Sequence, residues 1–244
     1  MKILVVGGGG REHTLVWKIS RSPLVKKIFC APGNAGIAEL AECVKIGAED
    51  VEKLVSFAEK EKIDLTVVGP EAPLVEGLVD RLNERGLKAF GPTADAAALE
   101  GSKIFAKKLM AKYDIPTGTF HTFSSAQEAA EFIREIGTPL VIKADGLAGG
   151  KGVIVAFDQK TAIEAVDMCL VQNVFGRAGN RVVIEEFLEG EEASVLAFSD
   201  GKNLLTMPAS QDHKEIYDGD KGPNTGGMGA YSPAPLVSDL LLDH

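Results

Sequence analysis

The chain has 244 residues, 45% of them hydrophobic and 25% charged, which is enough to bury a core in one large domain or two smaller ones. With 26 basic against 35 acidic residues and a net charge of −9, it lacks the basic face that broad binding to nucleic acid or an anionic membrane requires. Cys30, Cys43 and Cys169 are scattered, odd in number and without a CxxC pair, so free thiols in a reducing cytoplasm are expected rather than a disulfide framework or a zinc site. The opening apolar run, Ile3–Val6, is far too short for a signal peptide, and no stretch approaches the ~20 apolar residues of a membrane span.

Taken in chain order, short apolar runs alternate with amphipathic patterns. Ile3–Val6 predicts a strand, Arg11–Arg21 a helix and Lys27–Cys30 a second strand. Asp50–Lys62 is helical by its Leu54, Val55 and Ala58 stripe, Leu65–Val68 is a strand, Leu74–Arg85 a helix and Lys88–Phe90 a strand. Strands alternating with helices indicate a parallel sheet covered on both faces, and the fully apolar strand runs fit burial on both sides. After Gly91-Pro92, Ala96–Tyr113 reads as one lysine-rich helix and Ser125–Ile136 as another, with Ser124 or Ser125 as its N-cap. Strands Leu140–Ala144 and Val153–Phe157, helix Lys160–Gln172, and strands Arg181–Glu186 and Ala193–Ser199 then predict a small α+β unit. Gln211–Gly229, polar and glycine-rich, reads as a loop, and Pro235–His244 as the opening of a helix.

Two glycine loops carry the chemistry. Gly7–Gly10 follow a buried-type strand and open a helix, where backbone N–H groups and the helix dipole favour an anion. The dinucleotide spacing G-x-G-x-x-G fails, because Glu12 or His13 stands where the third glycine belongs, and no acidic residue ends the second strand. That strand instead runs into Pro32–Gly36 (PGNAG), a second small-residue turn suited to a phosphorylated ligand. Further on, Lys143 enters a loop containing Gly146, Gly149, Gly150, Lys151 and Gly152 before another strand leaves it. Two cations and mobile backbone donors suit the terminal phosphates of ATP, although the loop is not a Walker A motif. Glu185–Ser194 (EEFLEGEEAS) follows, and its backbone and carboxylates can read an adenine edge and ribose hydroxyls.

Together these segments resemble the ATP-grasp superfamily. VVGGGGREH at Val5–His13, PGNAG, VGPEAPL at Val68–Leu74, GSK at Gly101–Lys103, the Lys143–Val153 loop, SQDHK at Ser210–Lys214 and GPNTGGMGAYSP at Gly222–Pro233 narrow the resemblance to the glycinamide ribonucleotide synthetase (phosphoribosylamine–glycine ligase) family. The implied fold is α/β: a Rossmann-like, parallel-sheet pre-ATP-grasp domain (1–102), a linker and first part of the central grasp domain (103–122), an α+β ATP-grasp lid (123–190), and the start of the central domain (191–244). The implied reaction is ATP-dependent ligation of glycine to 5-phosphoribosylamine through a glycyl phosphate, releasing ADP and phosphate, in purine biosynthesis in the cytoplasm.

Carried over by residue, the resemblance assigns ATP to Lys103, Lys143, Gly149, Gly150, Lys151, Gly152, Glu185, Glu186, Leu188 and Glu192, with Glu192 on the ribose. It assigns phosphoribosylamine to Gly9, Gly10, Asn34 and Gly36, completes the sugar and glycine site with Asp212, Gly226, Gly227, Met228 and Gly229, and makes Lys143, Lys151 and Asp212 the catalytic groups. His13 and His213 can be read as acid–base or as packing residues. Magnesium (or manganese) is implied as cofactor, with its ligands beyond residue 244 and none within the chain, so little or no ligase activity is expected of this polypeptide alone. The implied partners are small molecules, not nucleic acid or membrane, with the protein a monomer or joined to other purine-pathway domains. Two alternatives remain open: another purine-pathway ATP-grasp ligase, or a binding fragment without turnover.

Overall fold

A computed structural model describes residues 1–219 and 221–242. Two compact units follow one another along the chain, Met1–Ile115 and Pro116–His244.

The first unit is a five-stranded parallel sheet in the order β3-β2-β1-β4-β5, formed by β1 (Lys2–Gly7), β2 (Lys27–Pro32), β3 (Glu42–Cys43), β4 (Leu65–Val68) and β5 (Ala89–Phe90). Successive side chains of a strand point to opposite faces, and both faces are covered. Leu4, Val6, Phe29 and Val68 pack with Leu54, Val55, Ala58, Leu78, Val79 and Leu82. Ile3, Val5, Ile28, Cys30 and Val67 pack on the other side with Val16 and Ile37. This is why the strand runs are apolar throughout; each fully buried branched side chain stabilises the fold by about 1.5–3 kcal/mol. The helices are α1 (Gly10–Ser20), α2 (Val51–Glu61), α3 (Glu71–Val75), α4 (Leu78–Glu84), α5 (Ala94–Gly101) and α6 (Lys103–Lys112). Asp50 caps α2 by accepting the Lys53 N–H at 3.3 Å.

Two predicted helices are in fact pairs. The Leu74–Arg85 pattern breaks at Gly77, whose φ of +81° ends one helix and starts the next. The Ala96–Tyr113 pattern breaks at Ser102, which is extended (φ −141°) and restarts the helix by accepting the Phe105 N–H at 3.1 Å. Lys103 therefore stands at the first position of α6 rather than mid-helix.

The second unit contains a four-stranded antiparallel sheet in the order β6-β9-β7-β8: β6 (Phe120–Phe123), β7 (Leu140–Ala144), β8 (Val153–Ala156) and β9 (Val182–Glu186). Helices α7 (Ala126–Ile136) and α8 (Gln159–Leu170) supply Ala129, Ile133, Ala162, Val166 and Cys169 to a core with Leu140, Ile142, Val182 and Ile184. Ser125 rather than Ser124 is the cap of α7, accepting the Glu128 N–H at 3.3 Å. Two hairpins follow, β10 (Ala197–Ser199) with β11 (Leu204–Thr206), and β12 (Gln211–Tyr217) with β13 (Lys221–Tyr231). Within the Gln211–Gly229 stretch, 211–217 and 221–229 are thus strand rather than loop, paired with register shifts between His213 and Glu215 and between Glu215 and Tyr217. Ala193–Ser199 is a strand only from Ala197, preceded by an isolated Ser194–Ser210 bridge. The terminal apolar stretch forms α9 (Asp239–Leu242); Asp220 and the last two residues, which fall in the Gln211–Gly229 and Pro235–His244 expectations, lie outside the described residues. Among the described residues no helix is long and apolar enough to cross a membrane.

Candidate functional site

In the first unit the strand order reverses at β1, between β2 and β4, and ligands of open α/β sheets bind outside the carboxyl ends of the strands at such a switch point. The loops leaving β1 and β2 meet there. The Gly33 N–H donates to the Gly7 carbonyl at 3.1 Å, and the Asn34 amide donates to the Gly8 carbonyl at 2.9 Å while its oxygen accepts the Ile37 N–H at 2.9 Å. A Cβ on Gly8 would lie 2.7 Å from the Gly33 carbonyl oxygen, so the two turns touch backbone to backbone. Gly9 and Gly10 are exposed at the start of α1, with open space beside Gly10. A Cβ on Gly36 would meet the His13 ring at 2.6 Å, so His13 packs against the second turn.

Two carboxylates brace this end of the sheet. Glu12, 4% exposed, accepts the Gly9 N–H at 2.6 Å through one oxygen and lies against Gly7 and Gly69. It closes the N-terminus of α1 from inside, in capping-box spacing. Glu71, just past β4, takes both arms of Arg11 at 2.7 and 3.3 Å, tying the β1 and β4 loops together. The Arg11 hydrogen bond holds the Glu71 carboxyl below its ordinary range, and the same bond raises Arg11. Beneath the turns, the Cys30 thiol donates to the Gly7 carbonyl at 3.3 Å, and burial pushes it up to about 12. That makes Cys30 a packing thiol, not a nucleophile.

In the second unit Lys143 on β7 is paired with Glu185 on β9. Their neighbours in register are Val183 and Val141, which places the pair diagonally on the sheet face opposite the helix-covered core. The β7–β8 connection is a glycine turn. Gly149 (φ +59°) and Gly150 (φ +78°) are left-handed with nothing within 4 Å of where a Cβ would stand, and the Lys151 N–H closes the turn on the Ala148 carbonyl at 3.1 Å. Gly152 is packed, its Cβ position 2.7 Å from Ala148. Arg181 anchors the base of the turn through Asp145 at 2.6 Å. Glu186 exchanges hydrogen bonds with Thr119, its carboxylate accepting the Thr119 N–H at 2.8 Å, whereas Leu188 is exposed.

The hairpin β12–β13 brings Asp212 opposite Ala230 and His213 opposite Gly229, so the aspartate and the glycine run sit on one element. Lys214 binds Glu192 at 2.5 Å and Asp212 at 3.3 Å. Burial works against its charge, but the Glu192 hydrogen bond and both carboxylate charges hold Lys214 above its ordinary value. Thr225 fixes this lysine's backbone, its hydroxyl donating to the Lys214 carbonyl at 2.9 Å and accepting the Gly227 N–H at 3.0 Å. His213 stacks near Tyr231 at 5.9 Å, and a hollow of about 250 Å³ on this hairpin is lined by His213, Glu215, Tyr217 and Met228 among others.

Sequence reasoning gave no role to Arg11, Glu12, Glu71, Lys214 or Thr225. Glu12 carried a usable signal, a carboxylate three residues after an N-cap glycine. Lys214 carried none, because the register shift between His213 and Glu215 interrupts the strand alternation that would place it beside Asp212.

A Rossmann-like unit followed by an antiparallel lid with a lysine-bearing strand and a glycine turn is the architecture of the ATP-grasp class. Models of phosphoribosylglycinamide synthetase match the chain end to end, the N domain over residues 1–100 and the ATP-grasp (A) domain over residues 101–244. The chain belongs to the phosphoribosylglycinamide synthetase family. It is 56% identical over 243 residues to a phosphoribosylamine–glycine ligase of Caldanaerobacter subterraneus subsp. tengcongensis, covering 100% of this chain and 58% of that one. The Escherichia coli K12 ligase is 58% identical over 241 residues, covering 98% of this chain and 56% of the relative. A Thermotoga maritima phosphoribosylamine–glycine ligase crystal structure superposes with a TM-score of 0.80 at 34% identity, over 96% of this chain and 56% of that one. The chain thus spans a little over half the length of the relatives it matches.

Proposed function

We propose that this chain supplies the ATP-binding lid and the phosphoribosylamine-binding unit of an ATP-dependent ligase that joins glycine to 5-phosphoribosylamine. The observation that carries the reading is the Lys143–Glu185 pair beside the left-handed Gly149–Gly150 turn: an oriented ammonium next to backbone that can close over an anion. These residues fit a nucleotide triphosphate, with Lys143, Lys151 and the Gly149–Gly152 backbone on the phosphates and Glu185, Glu186 and Leu188 along the base. Glu192 takes the ribose, and Lys103, at the start of α6, adds a further cation. In the first unit Gly9, Gly10, Asn34 and Gly36 take phosphoribosylamine; in the second, Asp212 and Gly226–Gly229 are assigned to sugar and glycine.

The chemistry follows from charge. A glycine carboxylate oxygen attacks the γ-phosphorus and ADP leaves; the 1-amino group of phosphoribosylamine then attacks the acyl carbon and phosphate leaves. Lys143 and Lys151 neutralise the phosphoryl oxygens as charge shifts to ADP, and the closed turn keeps water from the acyl phosphate. Magnesium is the metal this reaction class uses, but among the described residues no three His, Cys, Asp or Glu side chains gather into a metal-holding group, so no step is assigned to it here. The four-part division at residues 102, 122 and 190, a monomeric state and a cytoplasmic location belong to the same reading.

The test is ADP release by a protein containing this chain, with glycine and phosphoribosylamine each omitted in turn and glycine replaced by other small carboxylates. Release requiring both substrates supports the proposal. Release driven by another carboxylate, or unaffected by Lys143→Met, overturns it.

A further inference from the structure

Glu192 lies in the segment between β9 and β10, Asp212 on β12, and the two are assigned to different ligands, yet one lysine holds both. Ser194 and Ser210 exchange backbone hydrogen bonds at 2.7 and 2.9 Å as an antiparallel bridge. Glu192 stands two residues before that bridge and Asp212 two residues after it, so in an antiparallel bridge both carboxylates leave from the same end, and like charges brought together there repel. Lys214, two residues beyond Asp212 on β12, places its ammonium 2.5 Å from Glu192 and 3.3 Å from Asp212. The three side chains are only partly covered, at 37%, 63% and 33% exposed for Lys214, Glu192 and Asp212, so a ligand can reach them without unfolding the hairpin. The Thr225 hydroxyl on the Lys214 carbonyl ties the same lysine to the return strand that carries Gly226–Gly229.

We propose that Lys214 is a positioning residue for the nucleotide: it holds the Glu192 carboxylate toward the ribose hydroxyls and, by neutralising Asp212, couples that contact to the acceptor side of the site. The proposal rests on the assignment of Glu192 to the ribose. A carboxylate fixed in advance accepts two hydroxyl hydrogens without first being ordered, whereas one repelled by Asp212 must be brought back against that charge.

The experiment is calorimetry of this 244-residue chain with ATP and with 2′,3′-dideoxy-ATP, which lacks both hydroxyls. Charge-assisted hydrogen bonds to the ribose predict that the wild type favours ATP by about tenfold or more. Glu192→Gln shrinks that preference to within about threefold, because the acceptor charge is gone. Lys214→Met and Lys214→Gln, two variants in case one does not fold, collapse it likewise, and Lys214→Arg retains it. Adding Asp212→Asn to Lys214→Gln restores it, since the repulsion is removed; a side chain with a merely structural role gives no such rescue. If Glu192→Gln collapses the preference and both neutral Lys214 variants keep it, the Lys214 proposal is overturned and the ribose assignment stands. A double variant that stays collapsed overturns the charge coupling and the proposal with it. If Glu192→Gln changes nothing, or the wild type binds neither nucleotide, the ribose assignment fails and takes this proposal down too.

Discussion

Adjacent glycines of the first loop should respond to the same substitution with opposite signs. Gly8→Ala puts a Cβ 2.7 Å from the Gly33 carbonyl oxygen, a backbone atom held in place by the Gly33 N–H bond to Gly7 and the Asn34 side chain. A contact that short forces the turns apart, and overpacking of this kind costs about 1–3 kcal/mol, with the Asn34–Gly8 bond weakened as well. Gly10→Ala meets nothing within 4 Å, and Gly10, the first residue of α1, has no left-handed φ to strain. It should stabilise the unit by about 0.4–1 kcal/mol through the entropy of the unfolded chain. The only tryptophan, Trp17, lies on α1 and is half-exposed with Arg21 stacked 4.2 Å above it, so its fluorescence follows this unit. With a urea slope of about 1–3 kcal/mol/M, Gly8→Ala lowers the midpoint by roughly 1 M and Gly10→Ala raises it by a few tenths. Gly10→Ala should still weaken phosphoribosylamine binding, because a methyl group then stands at the proposed phosphate. A neutral Gly8→Ala or a destabilising Gly10→Ala would refute the packing argument.

Three further outcomes follow from the geometry. Lys143→Met removes the ammonium beside the 7%-exposed Glu185 carboxylate and should lower stability and abolish ATP binding, whereas Lys143→Met with Glu185→Leu should recover stability but not binding, read by thermal melts and calorimetry. Gly150→Ala, left-handed but in open space, should change the melting temperature by less than Gly8→Ala does while weakening ATP binding; equal loss of both would mean the turn is a folding element. For pH, Glu71 is depressed in the folded state, so its contribution is complete above the ordinary carboxylate value near 4.5 and is lost as pH falls through the lower folded value. The Trp17-monitored urea midpoint should therefore decline in that acid window, by less in high salt because the pair is partly exposed, and Glu71→Gln should remove this part of the decline.

What the sequence showed plainly was set by local rules. Ile-Leu-Val-Val at β1 could be read as a doubly buried parallel strand because each residue has a core on its own side, and the serine pair 124–125 announced α7, although only the structure picks Ser125 as its cap and shows that Asp50 caps α2. The helices divided at Gly77 and Ser102 were missed because a stripe of apolar residues survives a one-residue break that only φ reveals. β13 was missed for a different reason. Its Gly226-Gly227 pair has low strand propensity and falls where the register with β12 shifts, between the Glu215–Asn224 and His213–Gly229 pairs. That error hid the most informative part of the site: β12 carries both Asp212 and Lys214, whose side chains meet at 3.3 Å, and the Ser194–Ser210 bridge holds the segment with Glu192 near the same lysine. Neither the glycines nor the acidic run could show this singly. A carboxylate proposed for the nucleotide and one proposed for the acceptor are joined through Lys214, so disturbing either should be felt at the other.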